Sequence, residues 1–292
     1  MSRPKFSSNT FIINADDFGM SEETNLGIIT AFQKGVLSST CILANMPGFD
    51  HAIKNREDIK GLGTGGHLSL NMGKPVLPSS QVPLLVDEKG YFESSYIKHV
   101  LKKKSKEYLS QIQHELSAQI EKLLDNGFKL DHINSQSHIH MIPEYYTIFN
   151  VLCEKYKIPH LRITYEPFFE DKSNWGINRV KILLINTILR KKLFHKDHFS
   201  IKFKGLLYSD QMSTSVLRKH LLLKKPYPIE LTVHPGYCLK SNLEAFQPWV
   251  RDFLIRPSRE KELNALLDPS LKALVLEQNI KVCSFSDVYL KN

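Results

Sequence analysis

The chain has 292 residues, enough to bury a substantial core as one large domain or two ordinary ones. With 42% hydrophobic and 24% charged residues and no run of 18 or more apolar residues, it is globular in composition and carries no transmembrane segment. A net charge of +9 comes from basic runs at 101–108, 189–196 and 217–226, which read as solvated helix faces; no groove-reading motif accompanies them, so nucleic acid is not an expected partner.

Short β-like runs alternate with helical patterns along the chain. The first strand is "TFIIN" (10–14), followed by a helix over 22–35 that Ser21 can cap, with Glu22 and Glu23 in its first turn and Gly35 at its exit. Further strands are expected at 38–45, 65–71, 131–140, 160–164, 199–205, 229–235 and 281–285. The intervening helices fall at 106–127, at 143–156 behind Pro143, and at 258–267 and 269–279. This alternation predicts an α/β fold: a mainly parallel sheet closed into an irregular (β/α) barrel of about seven to eight strands. No linker or internal repeat divides the chain, so one domain over 1–292 is expected, with irregular excursions near 72–107 and 166–198 over one end of the sheet. The four cysteines are widely spaced without a CxxC, and the N-terminus lacks a secretory pattern; reduced thiols and a cytoplasmic location are the expectation.

The unusual residues sit at strand ends. Asp16 and Asp17 follow the first strand, His67 lies in the third, Arg162 in the fifth and His234 at the end of the seventh. Parallel α/β folds gather such residues at the carboxyl ends of their strands. "NADDFG" suits a turn whose carboxylates cap the following helix, and equally metal hydrolysis, with one acid on a cation and the other accepting a proton. His67 also suits a hydrogen-bonded core histidine, and "TVHPG" a strand end and turn that does not require His234. "HINSQSHIHMIP" (132–143), read as a strand, lines up Asn134, Gln136, His138 and His140 on one face. An ordinary core strand has no use for two amides and two imidazoles there. "GLGTGG" (61–66) enters a strand rather than opening a helix, and "HELSA" (114–118) lacks a second histidine, so neither the dinucleotide nor the zincin reading holds.

"NADDFGMSEETNLGII", "GGHLSLNMGKPV", "HINSQSHIHMIP", "LRITYE" and "LTVHPGY", in this order, resemble the YdjC-like carbohydrate deacetylases, the family of the chitooligosaccharide deacetylases. The likeness extends to "FDHAI" (49–53) and to residues 259–288. It implies a distorted (β/α) barrel that binds one divalent metal ion, magnesium or zinc, and removes acetyl from an N-acetylated sugar. Carried over by position, it implies that Asp16 is the general base, that Asp17 and His67 are metal ligands, and that Arg162 and His234 line the site. There His234 would donate to the leaving amine and Arg162 would orient Asp16. The family's first histidine in the fourth motif is Gln136 here, so the remaining ligand is either Gln136, through its carbonyl oxygen, or His138; His140 and Asn134 would line the substrate. Two other readings stay open. One is a deacetylase of an anionic nucleotide- or lipid-linked sugar, with the basic runs making peripheral contact with an anionic surface. The other is a catalytically silent sugar-binding homologue, motivated by Gln136. A homodimer is a further candidate arrangement.

Overall fold

The computed structural model describes residues 9–168, 176–190, 201–240 and 242–289. Among them, seven strands form one sheet: β1 (Thr10–Phe18), β2 (Ser39–Ile42), β3 (Gly63–Leu68), β4 (His132–Ser135), β5 (Lys202–Lys204), β6 (Ile229–Val233) and β7 (Lys281–Val282). All pairings are parallel, in the order β4-β3-β2-β1-β6-β5, with β7 on the first residues of β1. The described helices are α1 (Glu22–Lys34), α2 (Phe49–Lys54), α3 (Tyr96–Leu101), α4 (Lys106–Asp125), α5 (Pro143–Tyr156), α6 (Ile177–Arg190), α7 (Thr214–Leu221), α8 (Pro248–Leu254), α9 (Pro257–Leu267), α10 (Pro269–Glu277) and α11 (Phe285–Tyr289).

The irregular barrel expected from the sequence is present as a curled, incompletely closed sheet. The segment expected as a strand at 160–164 contributes only a single parallel bridge, Leu161 to Ile133 beyond β4. Its backbone is still anchored: Ile133 N–H donates to His160 O (2.9 Å) and Arg162 N–H to Ile133 O (3.0 Å). Across the seam toward β5, a side chain stands in for strand pairing. The buried Glu166 carboxylate accepts the N–H groups of Gly205 (3.3 Å) and Leu207 (2.9 Å).

Period-two alternation divides β1 between two environments. Phe11, Ile13 and Ala15 join the main core with Ile28 and Ala31 of α1 and Leu263 and Leu266 of α9. Burying each large side chain of this kind contributes about 1.5–3 kcal/mol. Ile12, Asn14 and Asp16 face the barrel interior. α1 forms as its sequence suggests: Ser21 Oγ accepts the Thr24 N–H (3.1 Å), and Glu22 and Glu23 lie at its positive end. Stacked rings make the floor, where Phe285 lies between His132 and His160 with centroid separations of 4.1 and 4.8 Å. Gly65 on β3 leaves room for this stack, since a Cβ there would lie 2.3 Å from the His132 ring.

Of the excursion at 72–107, only α3, a 3-10 turn (Ser79–Gln81) and a Val86–Phe92 bridge are regular. In the excursion at 166–198, α6 is described, whereas 169–175 and 191–198, and with them most of the basic run at 189–196, lie outside the described residues. The basic run at 101–108 is partly turned onto the protein itself. Lys102 Nζ donates to Leu84 O (2.7 Å) and lies 4.4 Å over the Tyr108 ring, and Lys104 Nζ donates to Lys102 O (2.6 Å).

The close fit at the floor makes a prediction. Gly65→Ala should lower unfolding stability by about 1–3 kcal/mol, measured as a fall in the urea midpoint at unchanged slope; an unchanged midpoint would show that the His132 stack is loose.

Candidate active site

Two neighbouring acids on a regular strand would point to opposite faces. β1 avoids this with an irregularity. Its register with β2 runs Asn14 to Ser39 and Ala15 to Thr40, and then jumps from Phe18 to Ile42. Within that jump Asp17 adopts φ 79°, a left-handed conformation that costs a non-glycine residue about 1–2 kcal/mol. The turn is held by Met20 N–H donating to Asp17 O (3.0 Å) and Gly19 N–H donating to Asn25 Oδ1 (2.6 Å). Both carboxylates therefore line one cavity at the carboxyl ends of the strands.

Asp16 is held on every side. Arg162 donates from both terminal nitrogens to its two oxygens, each at 2.7 Å, while Asn14 (2.9 Å) and the Cys41 thiol (3.0 Å) donate to Oδ1. The guanidinium is fixed from behind by Glu230, at 2.8 Å from Nε and 2.6 Å from Nη2. Burial alone would raise the Asp16 carboxyl, but the adjacent Arg162 charge and its hydrogen bonds outweigh it and hold the group well below the usual carboxylate range. Burial and the Asp16 carboxylate push the Cys41 thiol well above its usual value, so sulfur stays protonated and donates.

Asp17 differs. Its Oδ2 accepts from Arg259 of α9 (3.3 Å), whereas Oδ1 is buried without a hydrogen-bond partner. His67 Nε2 lies 3.6 Å from that orphaned oxygen and 2.8 Å from Gln136 Oε1. The other ring nitrogen of His67 bonds to Asn134 Oδ1, so Nδ1 donates; in the Nδ1–H tautomer Nε2 offers a lone pair on the side of Gln136 Oε1 and Asp17 Oδ1. In that tautomer three acceptors converge. Such a donor set, one carboxylate oxygen, one imidazole nitrogen and one amide oxygen, suits a divalent cation. A second grouping is also compact: Asp16, Cys41 and His67 offer ligand atoms within 4.8 Å of one another. Its Asp16 oxygens and Cys41 thiol are already engaged with each other.

The segment after β4 departs from the sequence expectation. The strand stops at Ser135, and Gln136–Met141 forms a 3-10 turn in which Ser137 (φ 54°) and His138 (φ 56°) are left-handed. Alternation is broken, and the four polar residues no longer share a face. Gln136 and His138 line the cavity; Asn134 and His140 are buried and do not. His138 Nδ1 pairs with Thr164 Oγ1 (3.0 Å), and burial, then Arg162, hold its ring neutral by lowering its pKa well below the usual imidazole value. His140 accepts from Ser135 Oγ at Nδ1 (2.6 Å) and donates from Nε2 to Arg162 O (3.0 Å), with its pKa lowered by burial to about 3. His140 is thus a neutral strut that fixes the backbone of Arg162.

His234 lines the opposite wall, 20% exposed, with Nδ1 4.0 Å from Glu262 Oε2, which also accepts its backbone N–H (2.6 Å). Sequence reasoning overlooked four residues of this set. Cys41 and Glu230 were accessible to it, because each sits at an inward alternate position of an apolar strand. Arg259 and Glu262 lie inside the 259–288 likeness, but nothing in "SREKELNALL" singles them out, since it reads as an ordinary solvated helix.

Fold and site together define a parallel α/β-barrel protein whose polar, cation-suited pocket opens at the carboxyl ends of its strands. The profile of the YdjC-like protein family matches residues 10–277, and the chain belongs to this family, as its motifs had suggested. A carbohydrate deacetylase from Geobacillus stearothermophilus is 34% identical over 288 residues, spanning 95% of this chain and 97% of its own. One from Brevibacillus brevis is 31% identical over 278 residues, spanning 95% and 98%. Among solved structures, a protein from Enterococcus faecalis described as a candidate cellobiose-phosphate cleavage protein matches with a TM-score of 0.74 and 25% identity, over 97% of this chain and 99% of that one.

Arg162→Gln would leave two buried carboxylates unpaired and should lower stability at pH 7 by about 3–5 kcal/mol. Because the pair depresses the folded carboxyl value, its stabilisation is fully present above the unfolded value near about pH 4 and is lost as pH falls through the folded one. Urea unfolding at pH 7 and pH 3 should therefore show a gap between wild type and variant that narrows in acid. A gap independent of pH would contradict the assignment.

Proposed function

We propose that the chain is a metal-dependent carbohydrate N-deacetylase that hydrolyses the acetamide of an N-acetylated amino sugar. The observation that carries this reading is the convergence of Asp17 Oδ1, His67 Nε2 and Gln136 Oε1, three acceptors in the Nδ1–H tautomer of His67, beside an Asp16 that Arg162 keeps ionised. Asp17, His67 and Gln136 would hold one divalent ion, of the magnesium or zinc kind. When bound, the ion would polarise an acetyl carbonyl and acidify a water.

The remaining steps belong to the chain's own groups. Asp16, fixed by Arg162, accepts a proton from the attacking water. Its lowered pKa keeps it in the accepting form through neutral and mildly acid pH. His234 stands on the facing wall, where it delivers a proton to the departing amine, with Glu262 holding the loop that carries it. Acetate and a free amino sugar leave. Asn134 and His140 support His67 and Arg162 from behind rather than touching substrate. None of the four cysteines is in a disulfide, which suits a reducing compartment such as the cytoplasm.

One observation favours a second reading, a silent sugar-binding homologue. Turned over, the Gln136 amide would donate an N–H to His67 Nε2 and fill the gap that a cation would take.

Two experiments separate these readings. Asp16→Asn should reduce acetate release from N-acetylated sugars by at least about 100-fold while one equivalent of metal is retained; full turnover by this variant would remove Asp16 from its role. Gln136→His should tighten zinc binding at least about tenfold, with a much smaller effect on manganese, read by competition with a chromogenic chelator. If the wild-type protein takes up no metal, the silent reading holds.

A further inference from the structure

The cavity wall next to His234 has a construction that the proposed chemistry does not use. Trp249, Asp252, Phe253 and Arg256, spaced i, i+3, i+4 and i+7 along α8 and its exit, all line the cavity. The opposite side of α8 is anchored by Val250 and Leu254, buried among Met20, Leu43, Met46 and Met72. Trp249 and Phe253 also pack partly against this cluster, so each ring is held at its edge and turns its remaining surface to the cavity. Phe253 stands edge-on to His234, with ring centroids 6.3 Å apart, and the Arg259 guanidinium lies 4.6 Å over its ring. Trp249 lies one helical turn further along, about 6 Å by helix geometry, and its indole N–H has no hydrogen-bond partner. Beside it, Asp252 is exposed, and Arg256 pairs with Asp210 at 2.9 Å.

We infer that this face of α8 is a saccharide subsite that takes a neutral pyranose ring adjoining the reacting sugar, with Trp249 as its platform. The inference rests on the deacetylase reading, in which His234 faces the departing amine and so fixes the side on which the sugar lies. A pyranose presents an apolar C–H face and a rim of hydroxyls. An indole flanked by a carboxylate and a guanidinium matches both features, because large aromatic surface is combined with a few placed polar groups. A phosphate suits this wall less well: Arg256 is already neutralised by Asp210, and Asp252 adds a negative charge.

The test compares acetate release from N-acetylglucosamine and from its β-1,4-linked disaccharide. Trp249→Ala should raise KM for the disaccharide about tenfold more than KM for the monosaccharide, with kcat for the disaccharide changed far less, as expected for binding energy expressed equally in ground and transition states. Trp249→Phe should recover most of the loss. Asp252→Ala, an exposed change that cannot unfold the core, should raise the disaccharide KM several-fold. Equal KM changes on the two substrates, or none, would overturn the subsite. Binding is read separately in Asp16→Asn protein carrying Trp175→Phe, where Trp249 is the remaining tryptophan. Chitobiose should shift its fluorescence, and a flat titration counts against the subsite. A wild-type protein that shifts fluorescence with chitobiose but releases no acetate would refute the deacetylase reading and leave the subsite standing.

Discussion

Everything at the mouth of this barrel depends on burying adjacent carboxylates without neutralising them. Asp16 and Asp17 are 2% and 1% exposed, and an unpaired buried charge is too costly to persist. The chain meets that constraint with two arginines remote in sequence. Arg162 arrives beyond the last strand on one side and clasps Asp16, while Arg259 comes from α9 and reaches Asp17. Glu230 and Thr24 in turn hold the two guanidiniums. Closure of the curled sheet and assembly of the site are therefore one event, since neither acid is tolerable until the elements carrying the arginines are in place. Among these groups are three carboxylates and two guanidiniums. The set carries one negative charge in excess, shared by Asp16 and Glu230 across Arg162, and the carboxylate oxygen left without a hydrogen bond is Asp17 Oδ1.

The inner face of the barrel follows from the same constraint. Ile12, His132 and His160 with Phe285 make an apolar and aromatic floor. Above it, Asn14, Cys41, Asn134 and Arg162 form a hydrogen-bonded layer, and Asp16 and His67 lie at the top. Polarity rises along each strand toward its carboxyl end. Each inward side chain is fixed by one from another strand, so the reactive groups rest on a rigid lattice rather than on loops. Cys41 illustrates the logic: as a buried thiol it can donate to Asp16 without bringing a second charge.

Regular structure was legible in the sequence, and departures from it were not. The alternation that located β1, β3 and β6 also identified Asp16, His67 and His234 as residues at one mouth, because repeating geometry maps position to direction. The same rule misplaced His140. Ser137 and His138 take left-handed conformations that no propensity at Ser or His announces, and two such residues redirect the rest of the segment. Asp17 is the complementary case: alternation alone would have turned it outward, and only the bulge brings it to the cavity. Arg259 was hidden for another reason. A buried arginine and an exposed one look alike in a helical sequence, and what buries this one is an acid more than 240 positions earlier.

Gln136 sits at the junction between the regular strand and the irregular turn. It follows β4 immediately, ahead of the left-handed pair, so the last regular residue of the strand determines its placement and the irregular turn does not disturb it. Its side chain then reaches His67 from the side opposite Asn134, which holds the imidazole between two amides. Asn134 fixes the tautomer, and Gln136 meets the lone pair that this tautomer exposes. An amide oxygen brings no charge and little softness, so Asp17 remains the sole anionic donor of the set, and attraction for a cation rests mainly on that one carboxylate. On the proposed reading, a site built this way would differ from one with a second imidazole in which ions it favours, not in where it would hold them. Two of the three converging acceptors, the orphaned Asp17 oxygen and the His67 nitrogen, are set by β1, β3 and Asn134, and Gln136 supplies the third.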